Sequence, residues 1–383
     1  MRRGQVRNFM QTIYLNNAAT SWPKPKEVGR AMEKALRSLP GSGNRGGIKS
    51  FDVFTQVRRE LALVFGVSAP EQIALGCSAT WGLNQGIFGY PLEKGDCVLT
   101  TRAEHNSVLR PLHVLKKKGI RVVSLPVGED GRVSEESWEK GHRTFHPKLS
   151  ILTHGSNVTG AVHDGGRFAG ITREYGSELL LDVSQTAGYI PLELEKWGVA
   201  MAVFAGHKYL LGPQGTGGIY VRKDISLSPH IVGGTGVLGD LKEMPEQMPL
   251  HLEAGTGNEP SYYGLLAALL WSRDHPLDRE KTDVLAESCR RRLEELGCEV
   301  IRPIGECTPV VSFTVPGYTP EETGDILSGS YDIICRVGLH CAPDILEDIR
   351  KPRGSVRLSF SRFSTKEELD IVLEAVEAMR ESL

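Results

Sequence analysis

Short apolar runs alternate with segments of helical spacing from about residue 70 to Val221. The runs are QIALG, DCVLTT, RVVSLPV, LSILT, ELLLDV, AMAVF and GGIYV. Helical periodicity separates several of them, as at Val108 to Lys118 and at Phe168 to Tyr175. Such alternation is typical of βαβ units, in which the strands are buried on both faces. The pattern therefore predicts an α/β fold with a mostly parallel, seven-stranded sheet covered by helices.

The chain before this region predicts a turn-rich arm, two helices and a loop. Apolar residues recur at helical spacing from Val28 to Leu39, and again from Val53 to Val64. The sequence GSGNRGG, from Gly41 to Gly47, interrupts this pattern between the two helices. Glycine in such numbers predicts a mobile loop, and Arg45 is the charged residue within it.

The pattern changes after Val221 and predicts a second, smaller unit. Helical spacing appears from Leu265 to Ser272 and from Asp278 to Leu296, and VVSFTV, DIICRV and SVRLSF are strand candidates. A last helix is predicted to start at Ser364, because Glu367 completes a capping-box pattern three residues later.

These elements divide the chain into three predicted parts. We expect an N-terminal arm over residues 1–20, a large domain over 21–255 and a smaller α+β domain over 256–383. A chain of 383 residues is long enough for two domains with separate cores. The first helices of the large domain are candidates for packing against the smaller one.

Composition and charge exclude several classes of protein. The formal net charge of -2 gives no reason to expect nucleic acid or an anionic membrane as a partner. No uninterrupted apolar stretch is long enough to span a bilayer. The seven cysteines are odd in number and include no CxxC pair, which argues against a disulfide framework and a zinc site. We therefore expect a cytoplasmic protein without a bound metal.

Polar residues follow the predicted strands in a repeated way. The segments CSATWG, AEHNSV, HGSNVTG, DVSQTAG and GHK come directly after apolar runs. The carboxyl ends of parallel strands meet at one edge of a sheet, and ligands bind there. The sequence therefore predicts a single active site built from these segments.

Lys208 is the residue around which this site is predicted to form. It lies between the apolar pairs Phe204–Ala205 and Leu210–Leu211, where a partly desolvated amine loses its proton and can form a Schiff base. Asp182 closes the run LLLD, and a buried carboxylate needs a cationic partner. A protonated pyridine nitrogen is such a partner, which makes pyridoxal phosphate the predicted cofactor. The alternatives are a surface lysine and a helix-capping aspartate.

Several other residues are candidates for the same site. Small residues and Thr80 in CSATWG are suited to a phosphate at a helix N-terminus. His105 is placed to stack on the cofactor ring, Asn157 to contact the ring or the substrate, and Gln185 to reach the ring hydroxyl. The alternatives are a surface histidine and an ordinary asparagine turn.

Cys341 and Arg357 are the candidates in the smaller domain. Cys341 lies in the loop sequence RVGLHCAP, where a cysteine beside His340 is a candidate nucleophile. Arg357 alternates with apolar residues in a strand and is suited to binding a carboxylate, although a salt-bridged edge residue is the alternative. The remaining cysteines are expected to be buried and inert; they are Cys77, Cys97, Cys289, Cys298, Cys307 and Cys335.

Together these motifs resemble the class V aminotransferase family of fold type I. The segments AEHNSV, SNVTG, LDVSQ, GHK, EAGTGN, RVGLHCA and VRLSF occur in the order and at the spacing of that family. The resemblance is strongest to its cysteine desulfurase and selenocysteine lyase branch, and it runs nearly from end to end.

The resemblance implies roles around the cofactor. Lys208 would form the Schiff base and later move a proton, Asp182 would pair with the pyridine nitrogen, and His105 would stack on the ring. Gln185 would bond the ring hydroxyl. Thr256, in EAGTGN, would reach the phosphate of a neighbouring subunit, which implies a homodimer. Phosphate contacts within the chain would come from Ala79, Thr80 and His207.

The resemblance also implies roles around the substrate. Asn157 and Arg357 match the residues that bind the substrate carboxylate, and Arg45 and Arg336 match arginines that line the pocket. Cys341 matches the cysteine that carries a persulfide. The implied reaction converts L-cysteine to L-alanine and passes sulfur to an acceptor protein.

Other functions remain open at this point. One alternative is selenocysteine lyase activity. Another is a different reaction of the family, namely transamination, C–S β-lysis or epimerisation, in which Cys341 would have no catalytic role. A non-enzymatic sulfur carrier is a further alternative. The sequence also departs from the family pattern at Ala205, where well-known members have a phosphate-binding serine.

Overall fold

The computed structural model describes residues 12–39 and 52–382. The predicted loop from Gly41 to Gly47, including Arg45, and most of the predicted arm lie outside these ranges. The described chain begins with strand β1 (Ile13–Tyr14), helix α1 (Lys26–Arg37) and helix α2 (Val53–Phe65). The apolar face predicted for α1 is buried only in part, since Val28 is buried while Leu36 is exposed.

Each of the apolar runs forms one strand of a seven-stranded sheet. The strands are β2 (Ile73–Gly76), β3 (Cys97–Thr101), β4 (Arg121–Leu125), β5 (Leu149–Thr153), β6 (Glu178–Asp182), β7 (Met201–Ala205) and β8 (Gly217–Val221). Their order is β2-β8-β7-β6-β5-β3-β4, and only β8 runs opposite to its neighbours. The predicted mostly parallel sheet is confirmed.

Helices cover both faces of this sheet. They are α3 (Ala79–Gly89), α4 (Asn106–Lys117), α5 (Glu135–Phe145), α6 (Gly165–Glu174) and α7 (Leu194–Trp197). Neighbouring residues of β6 enter different cores, because Leu179 and Leu181 pack on one face and Leu180 on the other. Two buried faces explain why the strands appear in the sequence as unbroken apolar runs.

The C-terminal part contains the remaining elements. They are α8 (Glu259–Asp274), α9 (Arg279–Glu295), β9 (Glu299–Val300), β10 (Val310–Thr314), α10 (Pro320–Tyr331), β11 (Ile333–Ile334), β12 (Arg336–Gly338), α11 (Pro343–Asp348), β13 (Ser355–Ser359) and α12 (Lys366–Glu381). An antiparallel sheet has the order β12-β13-β10-β9, and β11 pairs with β1 in parallel. The segment after β1 thereby lies beside β13.

Helix α8 packs in the core that lies under the seven-stranded sheet. Tyr262, Leu265 and Leu269 of this helix contact the cluster that contains α2 and β7. Most elements after α8 instead share a separate core, which includes Phe313 and Leu373. Helix α11 packs in a small cluster with Ala103 and Val158. The boundary between residues 255 and 256 stays a prediction. Within the described ranges, no helix combines the length and apolar character needed to cross a membrane.

Two predictions of detail are wrong. Helix α12 is capped by Thr365 and Glu368, one residue later than predicted, because the hydroxyl of Ser364 accepts a hydrogen bond from Ser361 N–H instead. Cys77 is exposed rather than buried, since it lies in the turn between β2 and α3. Among the other cysteines, Cys97, Cys289 and Cys298 are buried, while Cys307 and Cys335 are partly buried.

Candidate active site

A cavity of about 220 Å³ lies at the carboxyl ends of the parallel strands. It brings together residues that are far apart in the chain, as predicted from the polar segments after the strands. The candidate residues that line it are Ala79, Thr80, His105, Asn157, Asp182, Gln185, His207, Lys208, Arg336 and Arg357.

Lys208 and Asp182 are the charged centre of the cavity. Burial lowers the pKa of Lys208 to about 8, Asp182 opposes this shift, and the positive charges of Arg357 and Arg336 add to it. The Asp182 carboxylate ends β6 and accepts a hydrogen bond from Ser184 N–H at 2.9 Å. An amine with such a pKa has an appreciable neutral fraction at pH 7, as a nucleophile requires.

His105 has a fixed orientation at the start of α4. It is the N-cap of this helix, and its Nδ1 accepts a hydrogen bond from Ser107 N–H at 3.1 Å. Burial lowers the pKa of His105 to about 4, with a further contribution from Lys208. The ring is therefore neutral at pH 7 and carries its proton on Nε2.

The start of α3 forms the other end of the cavity. Ser78 caps this helix by accepting a hydrogen bond from Trp81 N–H, which leaves the first backbone N–H groups of the helix facing the cavity. Strand β8 lies close by, since a Cβ atom at Gly217 would be 2.6 Å from the carbonyl carbon of Ser78. The Thr80 hydroxyl lies 2.8 Å from that of Ser107, so both hydroxyl groups are at this end.

Gln185 and His207 each present an atom without a hydrogen-bond partner among the described residues. Gln185 donates from Nε2 to Ala18 O at 2.9 Å, but its buried Oε1 has no partner. His207 Nδ1 is also buried without a partner, while the carbonyl oxygen of His207 accepts from Ser21 N–H. Burial lowers the pKa of His207 to about 4, and this ring is also neutral at pH 7.

Arg357 is fully buried and points into the cavity from β13. Its Nη1 donates to Asn157 O at 2.8 Å and its Nη2 to Asn16 Oδ1 at 3.2 Å, whereas Nε has no partner in the described ranges. Burial lowers the pKa of Arg357 to about 9, and Arg336 contributes to the shift. A buried cation held only by neutral oxygens can bind an anion.

Cys341 lies beside this cavity, in the loop between β12 and α11, but is not part of its lining. Arg336 Nη2 lies 2.9 Å from Cys341 Sγ. The loop has a strained backbone, with positive φ angles at both His340 and Cys341. It is held from the large domain, because Asn106 N–H donates to Cys341 O at 2.7 Å and Asn157 Nδ2 donates to His340 O at 2.8 Å.

One predicted site residue, Thr256, does not join this group. It is exposed in the loop before α8 and does not line the cavity of its own chain. Arg45 lies outside the described residues. Sequence reasoning did not single out the polar residues Ser107 and Ser184, which line the cavity, or Asn16, which binds Arg357. Ser107 and Ser184 each lie two residues after a predicted site residue, so this spacing was the available signal. Asn16 lies in the turn-rich arm and gave none.

Comparison with known proteins identifies the family of the chain. The chain belongs to the class V aminotransferase family, whose model matches residues 13–372. A probable cysteine desulfurase of Pyrococcus abyssi is 29% identical, over 97% of this chain and 95% of the relative. The predicted membership of this family is confirmed.

Solved structures of similar proteins share the fold. An apo cysteine desulfurase from Thermococcus onnurineus NA1 has a TM-score of 0.89 and 27% identity, covering 97% of this chain and 95% of the other. The cysteine desulfurase CsdA from Escherichia coli has a TM-score of 0.86 and 26% identity, with the same two coverages. The fold type I architecture implied by the resemblance is therefore confirmed.

Proposed function

We propose that this protein is a pyridoxal phosphate-dependent cysteine desulfurase that converts L-cysteine to L-alanine and retains the sulfur on Cys341. The observation that carries the proposal is the arrangement of Lys208, Arg357 and Cys341. A lysine with a lowered pKa and a buried arginine without an ion pair among the described residues line one cavity. Arg336, in the same lining, forms a hydrogen bond to the Cys341 thiol beside it.

The residues of the cavity fit the proposed cofactor. Asp182 is a buried carboxylate suited to a protonated pyridine nitrogen, and the unpartnered Gln185 Oε1 is suited to the ring hydroxyl. The neutral ring of His105 supplies a flat surface at the cavity. The start of α3 is suited to the phosphate, together with Thr80 and the unpartnered Nδ1 of His207.

Pyridoxal phosphate, when bound, supplies a conjugated ring that accepts electron density from the substrate. Lys208 would hold it covalently through its amine. Arg357 and Asn157 orient the substrate by its carboxylate, which aligns the α C–H bond with the active-site groups. Lys208, as a neutral amine, takes the α proton of the substrate and later returns a proton to the product.

Cys341 receives the sulfur of the substrate. Its thiolate attacks the substrate sulfur, so that an S–S bond forms on Cys341 and the C–S bond of the substrate breaks. The electron pair of that bond stays on the substrate carbon, which takes up a proton and gives alanine. The Cys341 persulfide then passes its outer sulfur to an acceptor thiol. Atoms and electrons balance without a further oxidant.

The remaining assignments concern the assembly. Thr256 is placed to complete the phosphate site of a second subunit, so the active form is proposed to be a homodimer with shared sites. The sulfur acceptor is proposed to be a protein, and the free thiols favour a reducing cytoplasm as the location. Arg45, within GSGNRGG, is proposed to line the substrate pocket.

Product analysis tests the function. The holoenzyme is incubated with L-cysteine and a reducing thiol, and alanine and sulfide are measured for the wild type and Cys341→Ala. Equal amounts of alanine and sulfide, both lost in the variant, are expected. Unchanged turnover by Cys341→Ala would show that the nucleophile is assigned wrongly.

The same assay separates the alternative functions. L-Selenocysteine tested beside L-cysteine identifies a selenocysteine lyase, which would release alanine from the selenium substrate alone. Keto acid from either substrate would favour transamination or β-lysis, and D-cysteine would favour epimerisation. A protein that develops no cofactor absorbance with added pyridoxal phosphate would support the non-enzymatic alternative.

A further inference from the structure

We infer that Asn16 is a positioning residue that sets the affinity for the substrate carboxylate through Arg357. It fixes the guanidinium with a neutral oxygen, so that the positive charge of Arg357 stays available to the substrate. The inference rests on the proposed function only in taking Arg357 as the carboxylate-binding residue.

Asn16 follows β1 and meets β13 beside Arg357. It forms an isolated parallel bridge with Ser359, and Arg357 Nη2 donates to its Oδ1 at 3.2 Å. The other anchor of the guanidinium is Asn157 O, at 2.8 Å from Nη1. Both anchors are amide oxygens, which orient the guanidinium without neutralising it.

The turn that carries Asn16 is held in place from several sides. The next residue, Asn17, donates from Nδ2 to Ser359 O at 2.9 Å, and Ala18 N–H donates to Ser359 Oγ at 2.9 Å. Ala18 O accepts from Gln185 Nε2. The position of Asn16 is therefore set by its neighbours, and a change of its side chain alters the contact with Arg357 without releasing the turn.

Charge is the property that distinguishes asparagine at this position. In the part of the chain that the structure describes, no carboxylate lies within ion-pair distance of Arg357 or of Arg336. Aspartate has nearly the shape of asparagine but would form a buried ion pair with Arg357. That pair would compete directly with the carboxylate of a bound amino acid.

Ligand binding tests this inference apart from sulfur chemistry. The holoenzyme is titrated with L-alanine, the product of the proposed reaction, and with L-alaninamide, which lacks the carboxylate; binding is followed by cofactor absorbance and by calorimetry. Asn16→Asp is expected to lower the affinity for L-alanine at least about tenfold and the affinity for L-alaninamide less than about twofold. The competing negative charge affects only a ligand that carries a carboxylate. Asn16→Ala, which removes one hydrogen bond to the Arg357 guanidinium, is expected to lower the affinity for L-alanine about three- to tenfold.

Thr12→Asp is the matched control. It adds the same single negative charge in the same segment, just before β1, but Thr12 is exposed, and both affinities are expected to stay at the wild-type values. The inference would be overturned if Asn16→Asp bound L-alanine with wild-type affinity, or if its affinities for the two ligands fell equally. If Asn16→Asp does not fold, an unchanged affinity for L-alanine in Asn16→Ala would overturn the inference. If the wild type distinguishes the two ligands but releases no sulfide from L-cysteine, the inference stands while the proposed function fails.

Discussion

The guanidinium of Arg336 donates a hydrogen bond from Nη2 to Cys341 Sγ over 2.9 Å. This contact links β12 to the loop that immediately follows it, and it places a permanent positive charge beside the proposed nucleophile. Arg336 was expected to line the substrate pocket; it does line the cavity, and it also contacts the thiol. The contact holds the sulfur in a fixed position beside the cavity.

Arg336→Gln is expected to reduce the reactivity of Cys341. Loss of the guanidinium that holds Cys341 Sγ should slow alkylation of Cys341 by iodoacetamide at pH 7 about tenfold, since a charge-assisted contact to the sulfur is removed. Labelled peptides identified by mass spectrometry give the rate at this residue. Arg350→Gln, at an exposed position beyond α11, is the control. An unchanged alkylation rate in Arg336→Gln would mean that the contact does not activate the thiol.

The reaction of Lys208 with the cofactor is expected to depend on pH. Because burial lowers its pKa to about 8, the neutral amine is the minor form at pH 6 and the major form at pH 9. At pH 7 its neutral fraction should exceed that of an ordinary lysine about 300-fold. The rate at which the apoprotein develops cofactor absorbance should therefore rise through pH 8. Lys208→Arg should give no such absorbance, and a rise only above pH 10 would contradict the pKa.

Ser107→Ala is expected to weaken cofactor binding. Its hydroxyl bonds that of Thr80 at the end of the cavity where the phosphate is proposed to lie, and Ala205 supplies no hydroxyl there. Loss of one hydrogen bond should raise the dissociation constant of pyridoxal phosphate about three- to tenfold. Adding Ala205→Ser should restore part of the affinity. Fluorescence titration measures both, and Ser328→Ala, on the exposed face of α10, is the control.

Mixed dimers test the proposed role of Thr256. Thr256→Glu places a negative charge in the proposed phosphate site of the partner, and Lys208→Ala removes the catalytic lysine; each homodimer should be inactive. Co-refolding of the two variants in equal amounts should restore activity at about one quarter of the sites, because each heterodimer holds one intact site. Absence of any recovery would place Thr256 outside the neighbouring site.

Phe313→Ala is expected to destabilise the smaller core. Phe313 is fully buried among β13, α9 and α12, and loss of its ring should lower the free energy of unfolding by about 3–5 kcal/mol. Ile304→Ala, at an exposed position, should change it by less than about 0.5 kcal/mol. Denaturant unfolding followed by circular dichroism measures both values. A loss below about 1 kcal/mol in Phe313→Ala would contradict the packing.

Much of the fold could be read from local patterns. The apolar runs predicted every strand of the large sheet, because strands buried on both faces must be apolar throughout. Helix α9 was predicted from Asp278 to Leu296, and these two residues are its caps. The start of α12 was misplaced by one residue, since Ser364 and Thr365 have the same capping chemistry and only the partner of Ser364 distinguishes them.

Local sequence patterns are enough to predict which residues leave the carboxyl edge of the sheet, including Lys208, Asp182 and His105, because each ends or closely follows a strand. The residues that they contact depend on the packing of distant segments. Asn16 and Arg357 are separated by 341 residues, and the Asn157 amide reaches the carbonyl oxygen of His340 across 183. Such contacts depend on how the small sheet packs against the large one, and no local periodicity encodes that packing. The predicted arm thus contains Asn16, whose side chain accepts a hydrogen bond from Arg357.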